Sequence, residues 1–359
     1  MTSPELPFVS VIVPCRDERS SVACCLDSIL ASDYPAARME VLVADGMSRD
    51  GTRAVVECYA ARDPRVRFID NRERITPAAL NRAIEAARGE VIVRLDAHAE
   101  IGPQYLRRAV HYLEATGADN VGGAMRTLVR ARGPFAEPIR RVLTHPFGVG
   151  NSRFRTGSRE ARWVDTVFGG CWRREVFERV GKFNEKLVRS QDMEFNQRLR
   201  RAGGKILLAP DLETRYYARA TLGSFWRHNW INGVWAILPF AYCPAPVRWR
   251  HLMPLAWVSS LAASLAGAAA GWFPPWVPMA AIGPYAATNL AVSAATAIRE
   301  RRPVLALLMP ITFASLHLGY GAGSLWGILR LAAILSRRFL TRMNGARSSA
   351  VRPQEGNPS

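Results

Sequence analysis

Four short β-branched runs recur within the first hundred residues: FVSVIVP (8–14), MEVLVAD (39–45), RVRFID (65–70) and EVIVRLD (90–96). Helical stretches at 19–31, 50–62 and 76–88 separate them. Few folds accept this alternation. Strands joined through helices run parallel, and a parallel sheet needs helices over both faces. Ligands of such sheets gather beyond the carboxyl ends of the strands, where Asp45 and Asp96 both fall. The helix at 76–88 is the best punctuated, with Thr76 as N-cap, Pro77 at the first helical position and Gly89 just past the end. The pattern holds to about residue 220, so one α/β domain is expected over 1–220.

The strand ends carry the chemistry. In RLDAHAE (94–100), Asp96 and His98 stand at i and i+2 of an extended segment, leave the same face, and can reach one ion or one phosphate-bearing ligand. By itself that spacing equally fits an aspartate capping a turn beside a solvated histidine. VLVADGMSRDGT (41–52) sets Asp45 after a strand, with Gly46 permitting close backbone approach; a carboxylate there can accept from a base or a ribose, or simply form a turn. VPCRDE (13–18), with Pro14, Arg16 and Glu18, ends the first strand in the same crevice. In KLVRSQDMEFNQRLRRAG (186–203), Ser190 can cap a helix whose first turn holds Asp192, where unpaired N–H groups and the helix dipole favour the ionised carboxylate. The alternative is that Asp192 and Glu194 are ordinary first-turn acids facing Arg198 and Arg201.

From residue 251 the composition changes. HLMPLAWVSSLAASLAGAAAGWF (251–273) and WVPMAAIGPYAATNLAVSAATAI (276–298) contain no charged residue, and each matches the ~20 residues a bilayer-spanning helix needs. Both are expected to cross, a buried helical hairpin being the alternative. Arg248 and Arg250 before them and Arg299, Arg301 and Arg302 after them place both flanks in the cytoplasm. The apolar stretch 303–335 is long for one crossing and short for two, so two to four crossings are open, within a membrane region at 251–335. Trp226, Trp230 and Trp235 beside Arg227 and His228 suit an interfacial helix in a linker at 221–250, and a basic, disordered tail is expected over 336–359.

The formal charge of +18 points to a polyanionic partner. Because the arginines are spread along the chain, no nucleic-acid motif occurs and uncharged runs follow, anionic lipid and phosphorylated substrates are expected and nucleic acid is not. The six cysteines form no CxxC pair, which excludes a zinc knuckle and a disulfide framework. The amino terminus lacks the basic and apolar regions of an export signal, so the catalytic part is expected in the cytoplasm.

Taken in order, VSVIVPCRDE, VLVADGMSRDGT, RLDAHAE and the segment VDTVFGG through QRLRRAGGKI resemble the family 2 glycosyltransferases. With PFGVGNSRFRTG (146–157) and the apolar C-terminal part, residues 8–335 are similar to the ExoA-type succinoglycan-biosynthesis enzymes of bacteria. The resemblance implies a GT-A, Rossmann-like nucleotide-sugar domain followed by transmembrane helices, in a multi-pass protein of the bacterial inner membrane. The implied reaction inverts the anomeric centre while transferring a hexose, glucose by this likeness, from a UDP-sugar to a polyprenyl-diphosphate-linked saccharide. By the same likeness Asp192 is the base. Pro14, Arg16, Glu18, Asp45, Asp96 and Gly170 contact the donor, and Asp96 and His98 hold Mn²⁺ or Mg²⁺. Three departures stand out. Ala44 precedes Asp45 where the family often has a second acid, Gln191 replaces the acid before Asp192, and the DxD motif reads Asp-Ala-His, as the polypeptide N-acetylgalactosaminyltransferases have it. Imidazole favours Mn²⁺ over Mg²⁺. The departures leave a catalytically inactive binding protein as one alternative. A processive synthase is another, although RHNW (227–230) is only part of a QxxRW segment.

Overall fold

In β1 (Val9–Cys15) the odd-numbered valines face one side of the sheet and Ile12 the other, and both sides are covered. The computed structural model of the chain describes residues 5–129, 133–150, 152–218, 220–243 and 251–350, with backbone only at 340 and 342–350. Asn151, Arg248, Arg250 and the tail from 351 lie outside the described residues. The remaining strands are β2 (Met39–Asp45), β3 (Val66–Asp70), β4 (Val91–Arg94), β5 (Ala99–Ile101), β6 (Asn120–Leu128), β7 (Arg162–Trp163), β8 (Phe168–Arg173) and β9 (Ile206–Tyr217). Helices α1 (Val22–Leu30), α2 (Thr52–Arg62), α3 (Thr76–Ala86), α4 (Tyr105–Thr116), α5 (Ala136–Thr144), α6 (Pro146–Val149), α7 (Arg153–Thr156), α8 (Arg174–Val180) and α9 (Gln191–Arg201) lie between them. After β9 come α10 (Leu222–Ile237), α11 (Met253–Ala269), α12 (Trp276–Glu300) and α13 (Val304–Ala350).

The strands form one mixed sheet in the order β3-β2-β1-β4-β8-β6-β9-β5, with β7 on β9. β3, β2, β1 and β4 are parallel, as the alternation predicts. The antiparallel entry of β8 beside β4 was not foreseen. Since β1 leads outward through β2 and β3 while β4 begins the other half, the crevice between the carboxyl ends of β1 and β4 is the switch point where such sheets bind ligands. One apolar core joins Val9, Val11, Val13, Val41 and Val43 to α1 and α4. The second joins Ile12, Leu42 and Ile92 to α3, α8 and α9.

Local reasons differ in places from the sequence reading. Thr76 is the first residue of α3, and Ile75 holds the cap position. Gly89 is not a helix stop: a Cβ there would lie 2.5 Å from the Ser10 nitrogen, so only glycine lets this turn pass against β1.

The chain forms two units. The first runs through Trp226 and takes in Pro284–Leu316; the second comprises Arg227–Gly283 and the chain from His317. In the first, Ile139 and Val142 of α5 pack with Phe225, Ala297 of α12 and Leu305, Met309 and Phe313 of α13. Asn289 Nδ2 donates to the Pro310 carbonyl at 3.0 Å, and Arg141 pairs with Glu300. In the second unit α10 and α13 meet through small residues, Ser324 Oγ donating to the Gly233 carbonyl at 3.1 Å.

Multi-pass topology is not carried by these helices. Among the described residues only Val304–Phe339, within α13, is long and apolar enough to cross a bilayer; Met253–Ala269 is apolar but has 17 residues. The expected span at 276–298 falls in α12, where Asn289, Ser293 and Thr296 are buried. Absence of formal charge concealed this polar stripe, which belongs to a helix packing on protein. The stretch 303–335, left open above, is part of one continuous helix, and that helix continues into the tail expected to be disordered, as far as Ala350.

Candidate active site

The loop after β1 and the loop after β2 are stitched together. Ser48 Oγ receives the Asp17 N–H at 2.8 Å, Asp17 Oδ1 receives the Arg49 N–H at 2.9 Å, and Thr52 Oγ1 receives the Glu18 N–H at 2.8 Å. Asp45, fully buried, accepts the Ser48 N–H at 3.0 Å and the Ser48 hydroxyl. Pro14, next to last in β1, is half-buried. Arg16 is half exposed, donates to the Arg74 carbonyl at 2.9 Å, and lies along Gly46, where a Cβ would meet its side chain at 3.1 Å. These residues therefore share one end of the sheet.

Beyond β4 the chain turns into β5, and Asp96 and His98 lie in that turn. His98 Nδ1 stands 2.9 Å from Glu18 Oε1. A carboxylate only accepts, so the ring donates from Nδ1, and its neutral form carries the lone pair on Nε2. The His98 ring meets Tyr216 of β9 edge-on, centroids 5.2 Å apart.

Arg94, the last residue of β4, unites the site. Its side chain is 5% exposed. Nη2 and Nε donate to Asp96 Oδ1 at 2.9 and 3.2 Å, and Nη1 to Asp192 Oδ1. One guanidinium thus joins two carboxylates that are remote in sequence. Burial works to raise the Asp96 carboxyl, but Arg94 and then His98 outweigh it and hold it below the usual range. At Asp192 burial prevails: with Asp96 it raises the carboxyl above its ordinary value against the pull of Arg94. The helix-end argument, which favours the ionised form, leaves out both burial and Asp96.

Asp192 is held by packing rather than by a capping side chain. Ser190 occupies the N-cap of α9 at φ 62° and makes no side-chain cap bond. Instead the Phe195 ring packs tilted against Phe183, centroids 4.7 Å apart, and edge-on to Trp172, centroids 5.8 Å apart. Asn196, one turn beyond Asp192, accepts from Asn120 and donates to Thr166, both at 2.9 Å. Gly170 lies opposite Arg94 in the ladder; it is buried, and a Cβ there would strike the Trp172 ring at 2.3 Å.

Sequence reasoning passed over Arg94 and Asn196. A signal for Arg94 existed: an arginine inside the otherwise apolar EVIVRLD, in a strand buried on both faces, must find carboxylate partners. Asn196 gave none.

Among the described residues no three His, Cys, Asp or Glu side chains form a metal cage. Asp96 and His98 supply two donors, and the order Glu18–His98 is the outer-sphere carboxylate arrangement that orients a ligating imidazole. Two protein donors beside a diphosphate suit a cation that completes its shell with phosphate oxygens and water.

Residues 10–181 match the family Glycosyl transferase family 2. The succinoglycan biosynthesis protein ExoA of Rhizobium meliloti is 31% identical over 309 residues, spanning 79% of this chain and 92% of that protein. A Methanococcus voltae enzyme is 25% identical over 61% of this chain and 69% of its own length; its name is dolichyl N-acetyl-α-D-glucosaminyl phosphate 3-β-D-2,3-diacetamido-2,3-dideoxy-β-D-glucuronosyltransferase. Among solved structures, the mannosyltransferase PcManGT of Pyrobaculum calidifontis, in complex with GDP-Man and Mn²⁺, superposes with a TM-score of 0.56 at 24% identity over 90% of this chain and 88% of that one. The fold and these matches together define a glycosyltransferase with the GT-A architecture. The chain belongs to glycosyl transferase family 2.

Proposed function

We propose that this glycosyltransferase moves a hexose, with glucose the first candidate, from a UDP-sugar to a saccharide carried on a polyprenyl diphosphate, with inversion at C1. The observation that supports it is the Arg94 bridge, which brings Asp96 of the donor end and Asp192 of α9 to one point at the strand ends. In this reading Asp192 takes the proton of the acceptor hydroxyl while its oxygen bonds to C1 and the C1–O bond to the nucleoside diphosphate breaks. No enzyme nucleophile is needed. Burial, which raises Asp192, makes it a stronger base than an exposed aspartate. Asp45, Pro14, Arg16, Glu18 and Gly170 are assigned to the donor. Asp96 and His98 would hold Mn²⁺ or Mg²⁺, which neutralises charge on the leaving diphosphate.

The lipid carrier is supported by the apolar helix Val304–Phe339, by large apolar side chains such as Trp272, Trp276 and Met279 left exposed, and by the dolichyl phosphate in the name of the Methanococcus voltae relative. Attachment to the inner membrane with the catalytic part in the cytoplasm would confine the site near lipid substrates and raise their effective concentration. The test is incubation of membranes with radiolabelled UDP-sugars. Label should enter the lipid extract with the wild type and not with Asp192→Asn; label confined to water-soluble product would remove the lipid acceptor.

A further inference from the structure

The stretch PFGVGNSRFRTG has no part in the reaction as described. Its residues 153–156 form α7, which packs on β6. Phe154 turns into the core that holds Trp172 and Phe195. The Arg155 guanidinium lies over the Phe154 ring, 5.5 Å from its centroid, and its Nη1 is buried with no hydrogen-bond partner. Most other charged groups near the strand ends are paired, as Arg94 and Glu18 are. A guanidinium with a buried, idle N–H is costly to the fold and is kept where an anion completes it.

A second orphan lies on the neighbouring strand. Thr127 of β6 is buried, and its hydroxyl also lacks a partner. Thr127 is the register partner of Tyr216, the ring that stands against His98. Burial draws the Arg155 pKa below its ordinary value, against the pull of Tyr216. Two unsatisfied donors therefore lie on α7 and β6, elements that pack together, with Thr127 beside the ring that stands against the histidine of the DxH motif.

We propose that Arg155 and Thr127 form an anion subsite that binds a diphosphate, Arg155 through its idle Nη1 and Thr127 through its hydroxyl. Planar guanidinium and phosphate oxygens match in geometry, and the pairing exceeds neutral hydrogen bonds in strength. This rests on the glycosyltransferase reading, in which a diphosphate belongs to the donor and another to the lipid carrier; the subsite serves one of them.

The experiment uses the full chain in detergent, with inorganic pyrophosphate and UDP as probes in the presence of Mn²⁺. Arg155→Met keeps the stem and removes the charge. Without ligand it should melt no lower than the wild type, because a buried, unpaired N–H has gone. It should bind pyrophosphate about 10- to 100-fold more weakly, with Arg155→Lys partly restoring affinity and Thr127→Val losing less. Weaker UDP binding assigns the subsite to the donor; unchanged UDP binding with a raised KM for a polyprenyl-diphosphate-linked acceptor assigns it to the carrier. Affinities and KM within about twofold of wild type in every arm, or a lowered melting temperature as the sole change, would overturn it. Pyrophosphate binding is read without turnover, so a chain that binds it through Arg155 yet transfers no sugar sinks the transferase reading and leaves the subsite standing.

Discussion

Arg94 and Asp192, 98 positions apart in the chain, are joined by an ion pair, its guanidinium buried and its carboxylate part-exposed, that fixes the first turn of α9 against the end of β4. The same guanidinium holds Asp96, so the geometry of both carboxylates depends on one side chain. Removing it leaves two acids facing each other in a partly desolvated crevice.

For Arg94→Met the expected result is a loss of about 3 kcal/mol of stability, typical of a buried pair that has lost one member, with turnover falling more than donor affinity. Arg94→Lys should recover part of the stability and little of the turnover, because an ammonium cannot serve two carboxylates as a planar fork does. Denaturant titration and steady-state kinetics read both. Wild-type turnover in Arg94→Met would show that the bridge has no part in the reaction.

Asp192→Asn should cut kcat by about 10²- to 10⁴-fold, the usual contribution of general base catalysis, while UDP-sugar affinity stays near that of the wild type. Isothermal titration alongside a transfer assay separates the two quantities. A parallel drop in affinity would assign Asp192 to donor binding instead.

Metal dependence should appear in binding as well as turnover. Chelation should weaken UDP binding and added Mn²⁺ restore it, with His98→Ala abolishing the restoration. Glu18→Gln, which loosens the support at His98 Nδ1, should weaken the metal about 10- to 100-fold, as changes to such outer partners do. UDP binding indifferent to chelator in the wild type would rule out the cation.

A fourth prediction concerns stability against pH. Glu40 is fully buried and accepts from Ser10 Oγ at 2.7 Å, the Arg88 N–H at 2.7 Å and Arg67 Nη1 at 2.9 Å. Burial alone would raise its carboxyl, but these donors prevail and lower it. A depressed folded pKa stabilises the fold above the ordinary glutamate value and is lost as pH falls through the folded one. Glu40→Gln should therefore cost about 1–3 kcal/mol at pH 7, and the gap should narrow in urea titrations below about pH 4. A gap independent of pH would mean that shape rather than charge matters at this position.

The sequence by itself determined the parallel half of the sheet, because β-branched runs alternating with helices leave little other choice, and it placed Asp45, Asp96 and His98 at strand ends by the same periodicity. It also marked the first turn of α9 as the position of Asp192. What it could not supply were relations between distant segments: β8 entering antiparallel beside β4, the Arg94 bridge, the aromatic seat of α9, and the protonation balance at Asp192, where burial outweighs the pull of Arg94. The membrane part shows the same division. A count of uncharged residues suggested two crossings at 251–298, whereas packing turned the polar stripe of α12 against protein. Local pattern follows from neighbours in the chain; burial and charge pairing follow from neighbours in space, and those exist only once the chain has folded.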